Sequence, residues 1–198
     1  MKVLDRKRRA ETITIAQEIN KDRKDIPLGS KKVPLWKKNS NGVLESNDFF
    51  IVDEEDFNLA MERLWSFGRY VTSYERNSNG AKSSIGVHKY IMRHYYGDYG
   101  YLTKTDHING DTKDNRKCNL RLCDNGENRA NSKPTIKTSK FKGVRLLKSG
   151  KWESDIWHGK SIYLGTFVEE IDAAKAYDVA AVKYFGKYAR TNEAEYGI

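Results

Sequence analysis

Residues 141–167 read FKGVRLLKSGKWESDIWHGKSIYLGTF, and this stretch decides how the C-terminal part of the chain folds. It contains three short runs of mixed apolar and polar residues, separated by the turn sequences KSG (148–150) and HGK (158–160). Short runs bounded by glycine-containing turns are typical of strands in an antiparallel sheet. The pattern therefore predicts strands within residues 141–147, 151–157 and 161–167.

The next segment, VEEIDAAKAYDVAAVKYFG at residues 168–186, predicts a helix that ends at Gly186. Its alanines and tyrosines recur on one side, at positions 173, 174, 177, 180, 181 and 184, and small residues let a helix approach a sheet closely. Because side chains alternate along a strand, two opposite sets are predicted on the sheet. The set facing the helix is Trp152, Ile156, Ile162 and Leu164. The outward set is Arg145, Asp155, Trp157 and Tyr163.

Charge is distributed unevenly along the 198 residues, which carry a net charge of +9. Residues 1–40 hold twelve Lys or Arg and five Asp or Glu, residues 48–75 hold seven acids and two bases, and residues 135–160 hold seven bases and two acids. Two basic segments in one chain favour a polyanionic partner such as nucleic acid.

Several classes of protein are disfavoured by the composition. No apolar run approaches the roughly 20 residues that span a membrane, and the start, MKVLDRKRRAETIT, lacks the apolar stretch of a secretory signal. We therefore expect a protein of the host-cell cytosol that associates with DNA and is not secreted. Two cysteines, Cys118 and Cys123, are too few for a disulfide framework and argue against a structural zinc site.

A second informative stretch is TKTDHINGDTKDNRKCNLR at residues 103–121. It predicts a strand over 103–107, a long polar turn over 109–115 and a strand over 120–123. Asp124 with Glu127 three residues later has capping-box spacing, which predicts a short helix through Ala130.

The residues in this second stretch suit phosphodiester hydrolysis. A Mg²⁺ ion prefers oxygen ligands and is commonly held by one or two protein groups, here Asp106 and Asn128, with Asn131 as an alternative to Asn128. His107 would take a proton from an attacking water, because its usual pKa suits a base near neutral pH. The remaining cations would neutralise phosphate oxygens: Arg116, Lys117 and Arg121.

The run DHINGDTKDNRKCNLR, followed by GENRANSK, closely resembles the HNH homing endonucleases of bacteriophages and group I introns. The resemblance implies a ββα-metal (His-Me finger) nuclease core with one divalent cation, Mg²⁺ or alternatively Mn²⁺. It also implies that Asp106 and Asn128 bind the metal, that His107 is the general base, and that Asn119 supports the hairpin and orients the histidine. Cleavage would leave 5′-phosphate and 3′-hydroxyl ends.

Residues 139–192 resemble the plant ethylene-response-factor (APETALA) type DNA-binding domain, through GVR, GKW, YLGTF and the alanine-rich helix. In that family, arginines on the outward sheet face read bases in the major groove. Here only Arg145 matches, beside Leu147, Trp157 and Ser161, so the family's recognition sequence does not carry over. Phosphate contacts are expected from lysines, among them Lys142 and Lys151.

Together these patterns predict an α+β chain with three parts: a basic, extended or partly helical N-terminal arm over 1–46, an HNH nuclease domain over 47–134, and an ethylene-response-factor type domain over 139–198. The leading hypothesis is a site-directed homing endonuclease that nicks double-stranded DNA as a monomer or weak dimer. The main alternative is a DNA-binding regulator with an inactive nuclease fold. A third, RNA-directed function is weaker, because a sheet built for a wide major groove fits A-form RNA poorly.

Overall fold

The computed structural model describes residues 15–16, 20, 27–41, 43–76, 79–100, 102–135 and 138–198. The chain forms two compact units, the first from residues 1–101 and 107–121, the second from residues 102–106 and 122–198. Most of the predicted N-terminal arm lies outside the described residues. The predicted domain boundaries stay a prediction.

Between residues 27 and 121, the described part of the first unit contains two antiparallel sheets and two α-helices, and residues 15–16 are also helical. Its elements are, in order, β1 (Ser30–Lys38), β2 (Leu44–Asp53), a 3-10 turn (Glu54–Asp56), α1 (Phe57–Ala60), β3 (Ser66–Phe67), β4 (Val71–Arg76), β5 (Lys82–Gly86), α2 (Val87–Tyr96) and a 3-10 turn (Lys117–Asn119). Two further strands, β6 (Lys104–His107) and β7 (Leu120–Cys123), form a two-stranded sheet whose residues are divided between the two units.

Strand β1 pairs antiparallel with β2, with Val33 opposite Phe50. Both side chains are buried, and the Phe50 ring meets the ring of Trp65 edge-on at 6.0 Å between centroids. An extended or partly helical arm was predicted here, because the sequence of β1 does not reveal its pairing strand. Residues 30–38 are instead an integral part of the core of the first unit.

The helix that follows Asp53 is shorter than the helical spacing of Phe57, Met61 and Leu64 indicates. It consists of one 3-10 turn followed by the single turn α1. Trp65 is buried, and its indole Nε1 donates to the carbonyl of Ala60 at 2.7 Å, which satisfies one of the free carbonyls at the helix end. Tertiary packing of Trp65 therefore ends a helix that the local pattern would continue.

Strands β4 and β5 pair antiparallel and lead directly into α2. His88 lies in the first turn of α2 and is buried, and its Nδ1 has no hydrogen-bond partner. Burial, together with the nearby ring of His107, lowers the pKa of His88 from 6.5 to about 3. The folded chain therefore keeps His88 neutral at any pH near neutrality.

This lowered pKa predicts a loss of stability in mild acid. Below pH 6.5 the unfolded chain binds a proton at His88 that the folded chain does not bind. The contribution of His88 to the unfolding free energy is therefore fully present above pH 6.5 and is lost as the pH drops towards 3. We expect about 2 kcal/mol of the unfolding free energy to be lost between pH 6 and 4.5. The His88→Leu variant cannot titrate there and should show a flatter profile in urea titrations. Parallel profiles for the two proteins would contradict this expectation.

The second unit contains a three-stranded antiparallel sheet in the order β10–β9–β8. Its elements are, in order, α3 (Asn125–Ala130), β8 (Val144–Leu146), β9 (Trp152–His158), β10 (Lys160–Phe167), α4 (Glu170–Phe185), a 3-10 turn (Gly186–Tyr188) and α5 (Asn192–Tyr196). The α+β class, and the sheet with one packed helix, are confirmed.

The core of the second unit lies between this sheet and α4. Ile156 of β9 packs with Tyr177, Ala180 and Ala181 of the helix, and partly buried residues complete the cluster: Ile162, Leu164, Tyr184, Phe185 and Ala189. These are the faces that the alternation and the alanine pattern predict. No described helix, in either unit, has the length and apolar character needed to cross a membrane.

Candidate nucleic-acid interface

The segment after residue 103 has the predicted order of strand, polar turn, strand and helix. The helix α3 begins with a complete capping box: the Asp124 carboxylate accepts from the backbone N–H of Glu127, and the Glu127 carboxylate accepts from that of Asp124, both at 2.8 Å. These bonds satisfy two of the free N–H groups at the helix start. The local sequence therefore determines this helix.

Asn119 organises the polar turn between β6 and β7. Its Oδ1 accepts from the backbone N–H of Asn109 at 2.9 Å, and its Nδ2 donates to Asn109 Oδ1 at 2.9 Å and to the carbonyl of Asp114 at 2.8 Å. The buried side-chain amide of Asn119 thus hydrogen-bonds to both ends of the turn, at Asn109 and at Asp114. In this geometry Asn119 supports the turn.

The sequence predicts His107 as a general base, but its ring is only 4% exposed and packs against the rings of Tyr70 and His88, at 6.4 and 5.1 Å between centroids. Its Nε2 lies 3.0 Å from Asn115 Oδ1, and the Asn115 amide nitrogen donates to the Thr112 carbonyl at 3.1 Å. Because a carbonyl oxygen only accepts, Nε2 must carry the proton of this hydrogen bond. That nitrogen therefore cannot take a proton from a water molecule.

Asp106, predicted as a metal ligand, is buried, and its Oδ2 accepts from the side-chain amide of Asn131 at 2.9 Å. Asn131, the alternative in the sequence analysis, is thus the asparagine brought to this carboxylate. Asn128 is exposed, and its backbone N–H continues the helix by donating to the Asp124 carbonyl. Among the described residues no group of three or more His, Cys, Asp or Glu side chains is placed to hold a metal ion.

The cations predicted to bind phosphate near this turn have other partners. Arg116 makes a two-point ion pair with Asp114, at 2.7 Å for each bond, and this pairing raises the pKa of Arg116. The ammonium of Lys117 contacts Asp56 at 2.9 Å and also Glu55. Burial alone would lower the pKa of Lys117, but these bonds raise it above its usual value. Arg121 is half-buried. Arg116 and Lys117 therefore hold the first unit together.

Lys142 was predicted to contact phosphate, and it instead ends α3. Its ammonium donates to the carbonyls of Arg129, Ala130 and Ser132, at 3.1, 2.5 and 2.7 Å. Burial, together with the nearby Arg190 guanidinium, lowers the pKa of Lys142 to about 8. Free carbonyls at a helix C-terminus favour a cation there. The structure gives Lys142 a capping role within the second unit.

The outward face of the β8–β10 sheet carries the predicted aromatic and basic residues. Trp157 is 53% exposed and Tyr163 is 62% exposed. Trp157 lies opposite Ser161 in the strand register, and Tyr163 lies opposite Asp155. The exposed Lys151 precedes β9 directly. Two large aromatic rings on an exposed sheet face beside cations form a surface suited to nucleic acid.

Two residues that the sequence analysis did not single out shape this face. Glu153 lies opposite Arg145 and forms an ion pair with it, so the predicted base-reading arginine already has a carboxylate partner. The guanidinium of Arg129 lies over the Trp157 ring at 6.0 Å from its centroid. Glu153 was detectable, because it shares the alternation of Asp155 and Trp157 on β9. Arg129 was not, because it lies far from β9 in the sequence.

Comparisons with known proteins place part of this chain near plant transcription factors. No protein-family model matches the chain. APETALA2-like protein 2 of Oryza sativa subsp. japonica is 48% identical over 58 residues, which are 28% of this chain and 13% of that protein. The AP2-like ethylene-responsive transcription factor TOE2 of Arabidopsis thaliana is 48% identical over 61 residues, 30% of this chain and 13% of that protein. The AP2/ERF and B3 domain-containing transcription repressor TEM1 of Arabidopsis thaliana is 40% identical over 58 residues, 29% and 16% of the two chains.

These relatives overturn the leading hypothesis. One is named as a transcription factor and another as a transcription repressor, so the prediction of a metal-dependent HNH homing endonuclease is wrong, as are the phage and hydrolase assignments that went with it. These relatives support neither the resemblance to HNH nucleases nor the predicted location in the host-cell cytosol. The burial of the His107 ring gives a physical reason why an Asp-His pair in a polar turn need not be catalytic. The matches cover between an eighth and a sixth of these relatives, and what they support is an AP2/ERF-type DNA-binding domain within this chain.

Proposed function

We propose that this protein is a DNA-binding regulator, the alternative that the sequence analysis set beside the nuclease. The observation that carries the proposal is the outward sheet face of the second unit, where Trp157 and Tyr163 stand exposed in a basic segment. The 48% identity to a protein named as a transcription factor and the 40% identity to one named as a transcription repressor support the same conclusion. Double-stranded DNA is the partner.

The sheet lies in the major groove with its outward face towards the base edges, because a groove about 12 Å wide admits a small twisted sheet. Trp157 and Tyr163 make apolar contacts to the base edges. Lysines around the sheet, among them Lys151, hold phosphates and so set the position of the protein without specifying sequence. The guanidinium of Arg145 leaves its ion pair with Glu153 and hydrogen-bonds to a base instead.

The strand–turn–strand–helix segment has a structural role in this proposal. Its polar groups are hydrogen-bonded within the protein. Asn119 bonds across the turn, Asn131 donates to Asp106, and Lys142, from outside the segment, caps α3. A divalent cation at Asp106 and Asn128 stays a prediction, and no step of the proposed function depends on it.

Replacement of residues on the sheet face should change DNA affinity in both directions. We expect Trp157→Ala to weaken binding about 10- to 100-fold, since each large ring at a nucleic-acid surface contributes roughly 1–3 kcal/mol. Glu153→Gln should strengthen binding several-fold, because it releases Arg145 and removes a negative charge. Fluorescence anisotropy with a short DNA duplex at fixed salt measures both effects.

The controls for this experiment lie on the other side of the domain. Asp172→Asn removes an exposed negative charge on α4, and it should change affinity far less than Glu153→Gln. An RNA duplex of matching sequence should compete poorly. Equal affinities of wild type and Trp157→Ala for DNA would reject the proposed face. Stronger competition by the RNA duplex would favour the RNA-directed alternative.

Regulation itself requires a target sequence and a response. Selection from a random duplex pool yields the preferred site, and a reporter promoter carrying that site shows whether transcription changes. We expect a change with the wild type that Trp157→Ala abolishes. A reporter that responds equally to both proteins would reject the regulatory function even where DNA binding is intact.

A further inference from the structure

Helix α4 exposes an apolar stripe. Val168, immediately before the helix, and Ile171, Val179 and Val182 within it are exposed by 71, 46, 72 and 55%. They are spaced three, eight and three residues apart, with the exposed Lys175 between Ile171 and Val179, so they follow one side of the helix. Isolated exposed aliphatic side chains are ordinary, but four along one side of a single helix, interrupted by one lysine, mark a candidate interaction surface.

This stripe lies on the side of α4 away from the sheet. The opposite side of the helix is buried, with Ala173, Ala174, Tyr177, Ala180 and Ala181 packed inside the second unit. The DNA-facing surface proposed above is the other face of that sheet. The stripe and the proposed DNA surface therefore lie on opposite sides of the sheet–helix pair.

Two opposite charges flank the stripe. Asp172 lies in the first turn of α4 and Lys183 in the last, and both are exposed. They are eleven residues apart, or three helical turns, so they lie on the same side of the stripe at about 16 Å along the axis. The flank is thus acidic at one end and basic at the other.

We propose that this stripe is the interface of an antiparallel homodimer, in which α4 of one copy packs against α4 of a second copy. A twofold axis perpendicular to the helices places Asp172 of each copy next to Lys183 of the other. In a parallel arrangement the twofold axis runs along the helices and places the charged flanks of the two copies on opposite sides of the interface, so Asp172 of one copy does not meet Lys183 of the other. Charge complementarity therefore favours a second copy of this chain as the binding partner, with the two α4 helices antiparallel.

The apolar side chains fit the same axis. The midpoint between Asp172 and Lys183 falls near residue 177, so the Val179 side chains of the two copies meet close to the axis. On the other side of the stripe, Ile171 of each copy lies against Val182 of the other. One patch thus contacts itself, as a twofold interface requires.

The interface is small and contains Lys175 near its centre, which costs stability while it disfavours other registers. A single helix pair buries less than the roughly 1,600 Å² of a standard interface, so we expect a dissociation constant in the range of about 10 µM to 1 mM. Because the stripe lies opposite the sheet face, dimer formation leaves both DNA-facing surfaces accessible.

Sedimentation equilibrium of the full chain without DNA tests the dimer. The wild type should associate reversibly, and Val179→Glu, which places two carboxylates at the axis, should remain monomeric up to about 1 mM. The matched control is Val43→Glu, at an exposed valine between β1 and β2, which should dimerise like the wild type. A wild type that is monomeric at 1 mM, or a Val179→Glu variant that still dimerises, overturns the proposal.

Charge reversal tests the direction. Asp172→Lys and Lys183→Asp should each weaken dimerisation about tenfold, and the double variant should restore it to within about twofold, because the pair is rebuilt with opposite signs. Restoration supports the antiparallel arrangement, whereas a double variant weaker than both single ones overturns it. These measurements contain no DNA, so they fail or succeed independently of the proposed regulatory function.

Discussion

Gly143→Ala should destabilise the second unit by about 3 kcal/mol or more. Gly143 has a φ of +74°, where a side chain is strained, and a Cβ there would lie 2.0 Å from Cδ2 of Tyr177 and 2.7 Å from the carbonyl oxygen of Asp155. The Tyr177 ring is buried in the core, so it has no free space into which to move. The strain contributes roughly 1 kcal/mol and the overpacking roughly 1–3 kcal/mol more.

Hydrogen exchange of the amides of α4 measures this effect, because the helix packs on the sheet next to Gly143. Protection should fall by about a hundredfold or more in Gly143→Ala. The control is Gly159→Ala: its φ of +69° is similar, but nothing lies within 4 Å of the added Cβ, so only the backbone strain remains. Equal losses in the two variants would show that the contact with Tyr177 contributes nothing.

Asp178→Ala should cost about 3–5 kcal/mol in the stability of the same unit. The buried Asp178 carboxylate accepts from the backbone N–H of Asn192 at 2.7 Å, from its side-chain amide at 3.0 Å and from the N–H of Glu193 at 2.8 Å. Asn192 in turn bonds both backbone groups of Lys142, at 2.7 and 3.1 Å. Removal of the carboxylate leaves buried donors without an acceptor, and this costs more free energy than the removal of donor and acceptor together.

The start of α5 reports on this variant, because Asn192 and Glu193 form its first turn. We expect its amides to lose protection in Asp178→Ala and urea denaturation to shift to lower concentration. Asp178→Asn, which keeps an acceptor oxygen, should lose less stability, and Asp172→Ala on the exposed side of α4 should lose little. A near-native denaturation midpoint for Asp178→Ala would contradict the network.

The sequence shows the chemical type of a candidate functional residue but not its ion-pair and hydrogen-bond partners in the folded chain. Arg116, Lys117 and Lys142 are cations beside a polar motif, which makes phosphate binding a reasonable hypothesis. In the structure Arg116 and Lys117 pair with Asp114, Glu55 and Asp56, and Lys142 caps α3. Glu55 and Asp56 are about sixty residues away from Lys117 in the chain, so no local pattern reveals them.

The nuclease hypothesis had the same weakness. Residues 106–131 match a motif by residue type and spacing, and the local elements, including the capping box of α3, follow the predicted order. Chemistry depends on exposure, and the exposure of His107 depends on residues elsewhere in the chain, such as Tyr70 and His88, whose rings pack against it. A pattern of residue types does not specify that exposure.

The sequence by itself determined the sheet and helix of residues 144–185, because alternation, glycine turns and the alanine stripe are local properties that agree with one another. It also determined which residues face outward, since parity on a strand decides this. Only the tertiary structure decided the pairing of β1 with β2, the early end of α1, the partners of each lysine and arginine, and the apolar stripe left uncovered on α4. These features depend on contacts between distant residues, whose free energies exceed the weak preferences of the local sequence.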